Sequence, residues 1–396
     1  MMFRDAAAMI GRFLSPLTLD DFLDKTLTDG VTKIEGGDGA WRAGLLGPDP
    51  EALLSEAVQL APRLTFYAAN PLGPPPSLDA VADSADFRRR IGQFHANRYS
   101  LRFPEIRTVS PALDALARAL EILLHGPVTV SAFWSRGKSA AVSSDDHDLL
   151  IAQLRGTRRW DISTAPSELD NAWQRIPGRI PTLGPHEAVD MRPGDLLYLP
   201  RGTQYGVDSD AESLHVAVGF VPLTVREALL AVLDHLSDVD RTLRTTIGGR
   251  LAFQLQGTGA ERLGPPVLDA AARVLAACRT PGFIAAALHR RSARGVALLA
   301  PLPVRLPAPT LALDSVLVQA AAAFCHLTAN SDTIDFSYPG GHLYIRLAAQ
   351  ESVRFMVNTP RFRVRDIPAA ADDEVRLSLA RKFLEAGYLE LATGGE

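Results

Sequence analysis

The chain contains 396 residues, of which 47% are hydrophobic and 22% are charged, and its net charge at pH 7 is −4. This composition is typical of an ordinary soluble globular protein with enough chain to bury a core. The small net charge gives no general reason to expect binding to nucleic acids or to membrane surfaces. The length predicts two or three domains.

No targeting, membrane-spanning or disulfide-bonded segment is expected. Charged residues such as Arg12 and Asp20 interrupt the start of the chain, which therefore lacks the apolar run of a signal peptide. No stretch approaches the roughly 18 uninterrupted apolar residues that indicate a transmembrane helix. The only cysteines, Cys278 and Cys325, form no CxxC pair, so we expect free thiols and a cytoplasmic protein.

Helical patterns dominate the chain as far as Pro127. Thr18 is placed to cap a helix whose apolar side chains recur at helical spacing as far as Leu27. A second helix is predicted over residues 49–61, where a proline suits the first helical position. A third helix begins at Pro111 and ends at the following Gly-Pro pair.

The pattern then changes to that of β-strands. Short strands separated by turn signals indicate a β-sandwich or a β-barrel. Residues 149–162 predict a hairpin of two strands around a turn at 155–157. The remaining strands are predicted over residues 128–134, 195–199 and 213–220.

Helical spacing returns after these strands. Thr224 and Glu227 form a capping-box pattern at the start of a helix that continues to Val239. Residues 268–288 and 313–324 are also helical in pattern and carry alanine-rich faces, which allow helices to approach closely. We interpret this region as a helical subdomain suited to a subunit interface.

The last part of the chain predicts a winged-helix-like module. Strands are expected over 333–337 and 342–346 around a Pro-Gly-Gly turn, and a third strand is expected over 352–357. A helix then begins at Asp372 and ends at Gly387. The first turn of this helix is acidic, so nucleic-acid binding is not expected.

Two stretches within the strand-rich region are the best candidates for a site. The first is the hexapeptide Ser143–Asp148, which leads into a predicted strand. The second runs from Gly194 to Gly202 and has the glycine and proline spacing of the second cupin motif. Its first glycine turns the chain into a buried strand, and its Pro-Arg-Gly end is expected to direct Tyr205 into the mouth of a barrel.

The order of these motifs, followed by Ser213-Leu214-His215-Val216, resembles the bacterial JmjC/cupin-4 family. This family includes ribosomal-oxygenase-like protein hydroxylases that depend on 2-oxoglutarate and Fe(II). The resemblance covers most of the chain and implies the α+β fold class, a homodimer, and a peptide or protein as substrate or ligand. The implied parts are a JmjC/cupin double-stranded β-helix barrel with flanking helices (1–222), a helical, dimerisation-like subdomain (223–310) and the winged-helix-like module (311–396).

The resemblance also assigns the metal ligands. In this family two histidines and one carboxylate hold Fe(II) and leave open positions for 2-oxoglutarate and O₂. Carried over to this chain, the carboxylate is Asp145, whereas the two histidine positions hold Ser143 and Tyr205. A neutral hydroxyl is a poor ligand, and a phenol must first lose a proton that has a pKa of about 10. The sequence therefore predicts the loss of ordinary Fe(II) affinity.

Three further residues are candidates for the site. Arg158 matches the basic residue that grips the distal carboxylate of 2-oxoglutarate in the family, the alternative being a hairpin arginine paired with a surface acid. His215 is either a residue that points into the barrel or a hydrogen-bonded core histidine. His147 matches a family residue with a structural role or a role at the rim of the substrate site. Trp160 is expected in the barrel core.

Two hypotheses for function follow. In the first, the chain is a non-enzymatic or atypical JmjC-fold protein that keeps the pocket and binds a peptide or a small acid. In the second, it is an active 2-oxoglutarate-dependent oxygenase that hydroxylates a protein or peptide side chain. Asp145 and His215 would then hold the metal with the aid of His147 or Tyr205, and Arg158 would bind 2-oxoglutarate. The expected catalytic residues are Asp145, Tyr205 and His215.

Overall fold

The structure is a computed structural model that divides into two compact units, Met1–Pro222 and Leu223–Glu396. A further division of the second unit at residue 310 stays a prediction. The residues that the structure describes are 3–26, 30–68, 70–124, 126–136, 142–167, 182–208, 212–246, 264–302, 310–320, 323–329, 331–368 and 372–392.

The first unit combines short helices with two β-sheets. Its α-helices are α1 (Phe3–Leu14), α2 (Leu19–Asp21), α3 (Gly39–Ala43), α4 (Pro50–Glu56), α5 (Ser84–Ala96) and α6 (Pro111–Leu124). Its strands are β1 (Thr32–Ile34), β2 (Thr65–Tyr67), β3 (Ser100–Phe103), β4 (Val128–Arg136), β5 (Asp148–Arg155), β6 (Arg158–Ser163), β7 (His186–Met191), β8 (Leu196–Leu199), β9 (Tyr205–Asp208) and β10 (Glu212–Phe220). The described part of this unit also contains a π-helical turn (Phe22–Thr26) and two 3₁₀ turns (Val58–Arg63 and Ile106–Thr108).

The two sheets of the first unit face each other and form a barrel. The larger sheet has the strand order β1-β8-β5-β10-β4-β3-β2, and the smaller has the order β7-β6-β9. All these neighbouring strands are antiparallel. Side chains from both sheets, among them Ile151, Trp160, Leu197 and Val207, form one buried cluster. The predicted JmjC/cupin barrel is therefore confirmed.

Strands β5 and β6 do not form the predicted hairpin. β5 pairs with β8 and β10, whereas β6 pairs with β7 and β9, so the two consecutive strands belong to different sheets. At the corner between them Gly156 has a φ of +64°, and a Cβ there would lie 2.0 Å from the carbonyl oxygen of Glu212. The hairpin prediction was wrong because a glycine turn between two strand patterns looks the same locally whether the strands pair or diverge.

The helices before the barrel follow the predictions in part. Thr18 caps α2 by accepting a hydrogen bond from a backbone amide of the first turn, but a π-helical turn continues the element. Helix α1 was not predicted, although its Ile10 and Phe13 are fully buried. Helix α4, with Pro50 at its start, and helix α6 confirm the predictions.

The described part of the second unit contains three helices before residue 300 and a mixed region after it. Its described helices are α7 (Val225–Val239), α8 (Gly264–Arg279), α9 (Phe283–Ala297), α10 (Gln350–Asn358) and α11 (Asp373–Glu385), with 3₁₀ turns at Arg241–Arg244, Leu347–Ala349 and Val364–Asp366. Its strands are β11 (Val316–Gln319), β12 (His326–Ala329), β13 (Thr333–Tyr338), β14 (Gly341–Arg346), β15 (Arg361–Arg363) and β16 (Leu389–Leu391), which form the sheets β15-β11-β16 and β12-β13-β14.

Two segments of the second unit differ from their predicted secondary structure. The helix predicted over 313–324 is replaced by β11, which lies between β15 and β16. The strand predicted over 352–357 is helix α10, whose Val353 and Met356 are buried at a helical spacing of three residues. Both errors arise because short apolar segments fit either pattern, and the packing partners decide between them.

Other predicted elements of this unit lie where the sequence places them. The capping box of Thr224 and Glu227 begins helix α7. Strands β13 and β14 form the predicted hairpin, and Gly387, with a φ of +70°, follows the end of α11. The winged-helix-like character of this module and the subunit interface stay predictions.

The helix predicted over 268–288 is broken. Helix α8 ends at Arg279 and α9 begins at Phe283, because Pro281 and Gly282, the latter with a φ of +77°, interrupt the helical backbone. In the described part of the chain, no single helix has the length and apolar character needed to cross a membrane. The α8–α9 pair, bent by 99° at its break, reaches that length and composition only when the two helices are counted together.

Arg42 holds the N-terminal segment to the barrel. Its side chain is fully buried and donates hydrogen bonds to four backbone carbonyls, those of Phe13 (3.2 Å), Ser15 (2.5 Å), Gly36 (2.6 Å) and Gly194 (2.7 Å). Gly194 has a φ of +92° and forms the predicted turn into β8. One arginine therefore joins three N-terminal segments to the turn that begins a barrel strand.

We expect Arg42→Met to lower the free energy of unfolding by about 3–5 kcal/mol, because the carbonyls of four residues lose a donor that is itself fully buried, while the apolar stem is kept. Chemical denaturation of the variant and the wild type measures the change. The control Arg63→Met replaces an exposed arginine of the same unit and is expected to change this free energy by less than about 0.5 kcal/mol. Similar effects of the two substitutions would contradict the role of Arg42.

Candidate functional site

The barrel encloses a cavity of about 610 Å³, a volume typical of sites for small ligands. Its walls come from strands β2 to β6, β9 and β10, and its mouth is bordered by the segment 142–147. On β10, His215, Ala217 and Gly219 line the cavity, whereas Val216 is buried on the opposite face. The predicted alternation of this strand therefore directs His215 into the barrel.

The segment 142–147 is tied to the strand β9 at the mouth of the cavity. Ser143 and Tyr205 form an antiparallel bridge, in which each backbone N–H donates to the carbonyl of the other residue at 2.8 and 2.9 Å. The Gly202 N–H donates to the Asp145 carbonyl at 2.8 Å. The three positions to which the resemblance assigns the metal ligands are therefore brought together.

The side chains at these positions form a hydrogen bond in place of a metal-binding triad. The Tyr205 hydroxyl donates to Oδ2 of Asp145 at 2.5 Å. Burial raises the pKa of Tyr205 well above its usual range, and the neighbouring Asp145 carboxylate raises it further. The phenol is thus protonated at neutral pH. Fe(II) does not fit this arrangement, because the two replaced positions, Ser143 and Tyr205, offer only neutral hydroxyls.

The remaining candidates do not complete a metal site. His147 is partly exposed, and its Nδ1 lies 2.5 Å from a carboxylate oxygen of Asp146. His215 contacts Arg158 rather than Asp145. Among the described residues, no group of three or more His, Cys, Asp or Glu side chains is arranged to hold a metal ion.

Arg158 forms a buried cationic end of the cavity. It is 2% exposed, and its Nη1 lies 3.1 Å from the Ser135 hydroxyl and 3.3 Å from Nδ1 of His215. Burial lowers the pKa of Arg158, and the neighbouring Tyr67 opposes this shift. An arginine nevertheless remains charged at neutral pH. The burial of Arg158 contradicts the alternative interpretation from the sequence, in which it is a hairpin arginine paired with a surface acid.

His215 is both buried and part of the cavity wall. It is 3% exposed and stacks on Phe133, with ring centroids 4.8 Å apart and an interplanar angle of 7°. The Trp160 ring contacts it at 5.5 Å. Burial lowers the pKa of His215 well below its usual range, and the charge of Arg158 lowers it further. A neutral His215 therefore accepts a hydrogen bond from Arg158 through Nδ1.

Sequence reasoning missed several residues of the cavity. Ser131 and Phe133 of β4 line the cavity, and Ser135, two residues further on, contacts Arg158; this period of two could have identified their shared face. Arg102 and Tyr67 also line the cavity, and Arg102 donates to the Ser131 hydroxyl at 3.3 Å. No local pattern marks these two residues. They reach the cavity because β2 and β3 extend the larger sheet beside β4.

The buried state of His215 predicts a pH dependence of stability. Below about pH 6.5 the unfolded chain takes up a proton on this histidine, whereas the folded protein does not. The free energy of unfolding therefore falls as the pH decreases, by up to about 1.4 kcal/mol per pH unit from this residue. We expect His215→Gln to remove this contribution, as measured by chemical denaturation between about pH 5 and pH 7.

A measurement at about pH 8 is the reference, because neither state of His215 binds the proton there. At that pH the free energies of unfolding of the variant and the wild type should differ only by the contribution of the lost ring contacts. If the free energies of unfolding of the wild type and of His215→Gln decrease in parallel below about pH 6.5, the neutral, buried state of His215 is contradicted.

Comparisons with known proteins agree with this geometry. A family model described as the JmjC domain matches residues 107–228. No match was found among curated protein sequences.

Solved structures of the Escherichia coli protein YcfD, described as a ribosomal oxygenase, are similar in fold. One is 16% identical, covers 95% of this chain and 98% of its own, and has a TM-score of 0.52. The structure of YcfD in complex with cobalt and 2-oxoglutarate is 16% identical, covers 96% and 99%, and has a TM-score of 0.51. The structure with cobalt and succinic acid has the same identity and coverage and a TM-score of 0.52. The chain therefore contains a JmjC domain over residues 107–228 and has the fold of the solved YcfD structures.

Proposed function

We propose that this chain is a JmjC-fold protein that binds a carboxylic acid without a ferrous centre and without hydroxylating it. The acid is either a small molecule or a carboxylate of a peptide. The observation that carries the proposal is the hydrogen bond between the Tyr205 hydroxyl and Asp145. The resemblance assigns the Asp145 carboxylate as a metal ligand, but in this structure that carboxylate accepts a hydrogen bond from a neutral hydroxyl.

The mouth of the cavity is poorly suited to a divalent cation. A metal ion would have to break the bond between Tyr205 and Asp145, and it would gain one carboxylate and two neutral oxygen ligands in return. The raised pKa of Tyr205 opposes its conversion to an anionic ligand. Imidazole and carboxylate ligands, by contrast, hold ferrous iron in the two-histidine, one-carboxylate arrangement. These features support the loss of the metal.

The part of the cavity around Arg158 suits a carboxylate. A guanidinium binds a carboxylate through two parallel hydrogen bonds, and such bonds are strong where water is excluded. Arg158 is 2% exposed, and Ser135 and His215 hold its guanidinium in place. YcfD has been solved with 2-oxoglutarate and with succinic acid, both of which are carboxylic acids. A barrel of this fold therefore accepts ligands of the proposed class.

An active oxygenase with a rearranged metal site is the alternative. It would need Asp145, His147 and His215 to surround one ion. Two contacts argue against it: Asp145 accepts from Tyr205, and His147 contacts Asp146.

We expect the protein to bind valerate, a simple monocarboxylate, in a buffer that contains EDTA. Arg158→Gln should weaken this binding on the order of 30-fold, because a charge-assisted pair of hydrogen bonds is lost. Isothermal titration calorimetry measures the affinity. The control Arg159→Gln changes the adjacent arginine, whose side chain is 57% exposed, and should leave the affinity unchanged. Equal binding by wild type and Arg158→Gln would reject Arg158 as the anion site.

We also expect metal binding to return when the two histidines of the family are restored. The variant Ser143→His/Tyr205→His keeps Asp145, and should bind Co(II) roughly 100-fold more tightly than the wild type, with the visible absorption of coordinated cobalt. The wild type, loaded anaerobically with Fe(II), should retain no stoichiometric iron and form no succinate from 2-oxoglutarate.

The control for this experiment adds Asp145→Ala to the double variant, and this change should abolish the gain. A folded double variant without cobalt affinity would show that Ser143 and Tyr205 are not the cause of the loss. Succinate formation by the wild type that depends on Fe(II) would overturn the proposed function and favour the oxygenase.

A further inference from the structure

One side of the barrel cavity carries two guanidinium groups. Arg158 contacts His215, which stacks on Phe133, and the guanidinium of Arg102 lies over the Phe133 ring, 5.8 Å from its centroid. Arg102 and Phe133 are also register partners on β3 and β4. The two arginines thus flank one pair of stacked rings, and we refer to these four residues as the cationic wall.

The mouth of the cavity carries the opposite charge. Asp145 lines it, and in the described part of the chain its carboxylate forms no ion pair with a cationic side chain. Its partner is the neutral hydroxyl of Tyr205, which binds Oδ2. The Trp160 ring contacts both Tyr205 and His215, so an aromatic surface joins the mouth to the cationic wall.

A ligand that supplies a cation would give the Asp145 carboxylate an ion pair, which it lacks among the described residues. The Asp145 carboxylate has a second oxygen, Oδ1, in addition to the Oδ2 that accepts from Tyr205. An ammonium group carries three donors and no acceptor, which suits such a site. A second carboxylate at the same place would be repelled by Asp145.

We propose that the ligand of this cavity is a zwitterion, in which a carboxylate binds the cationic wall and an ammonium group binds Asp145. This inference rests on the carboxylate-binding function proposed above and adds the second charged group. The cavity lining also includes the apolar side chains of Ile151, Trp160, Val207 and Ala217. The linker of the ligand is therefore a short apolar chain, as in an ω-amino acid.

The test compares ligands that differ in one end group. γ-Aminobutyrate, δ-aminovalerate and ε-aminocaproate are each titrated against the monocarboxylate and the dicarboxylate of the same chain length, with EDTA present throughout. We expect at least one amino acid to bind on the order of tenfold more tightly than its matched monocarboxylate. The matched dicarboxylate should bind no more tightly than the monocarboxylate.

Two variants locate the ammonium site. Asp145→Asn removes the charge but keeps a carbonyl that can accept from Tyr205, and we expect it to abolish the preference for the amino acid. Asp190→Asn removes the charge of an exposed acid on β7, outside the cavity lining, and should keep the preference. Thermal unfolding monitored by circular dichroism shows whether each variant is folded. The affinity ratio in the wild type tests the proposal without any substitution.

The outcomes separate this inference from the function on which it rests. If monocarboxylates bind through Arg158 but the amino group adds nothing, or if the dicarboxylate binds more tightly, the zwitterion is rejected and the carboxylate function stands. A preference that persists in Asp145→Asn also rejects the inference. If no ligand of the three series binds to the wild type, the carboxylate function fails, and the zwitterion fails with it.

Discussion

The hydrogen bond from the Tyr205 hydroxyl to Asp145 determines the electrostatics of this barrel. With a divalent cation at the mouth, the cavity would contain two positive groups, since Arg158 also lines it. A neutral phenol leaves the mouth negative instead. Burial, together with the Asp145 carboxylate, keeps the phenol protonated, so ionisation does not restore an anionic ligand. Under the proposed function, the neutral side chains at the two positions that the resemblance assigns to histidines leave the mouth negative, and this selects the proposed class of ligand.

The fold was predictable where short-range rules decide the structure. The capping box of Thr224, the strand over most of β10 and the turn at Gly194 follow from propensities and φ requirements of a few residues. The pairing of β5 and β6 was not predictable, because Gly156 suits a corner as well as a hairpin. Whether the chain forms a corner or a hairpin at Gly156 depends on β10, which lies more than fifty residues further along the chain and packs against this glycine. Helix α10 was misread for a related reason, as its buried positions are fixed by partners outside the segment.

The candidate site was predictable from the motifs and only partly from strand periodicity. The resemblance identified Asp145, Ser143 and Tyr205, and the structure brings these three positions together. The alternation of β10 correctly directed His215 into the barrel. Arg102, however, enters the cavity only because of the order of the strands in the larger sheet. One of the two arginines of the cationic wall was therefore invisible to an argument from local sequence.

The barrel can lose its metal ligands because its architecture does not depend on them. The bridge between Ser143 and Tyr205 uses backbone N–H and carbonyl groups, which every residue except proline supplies. The Pro-Arg-Gly turn is held by Asp148, which accepts from the Tyr198 hydroxyl at 2.6 Å and from the Arg201 amide at 3.1 Å. None of these interactions requires imidazole at the two histidine positions. Substitutions at these two positions therefore change the charge and hydrogen bonding of the mouth without removing the backbone bonds that hold it to the barrel.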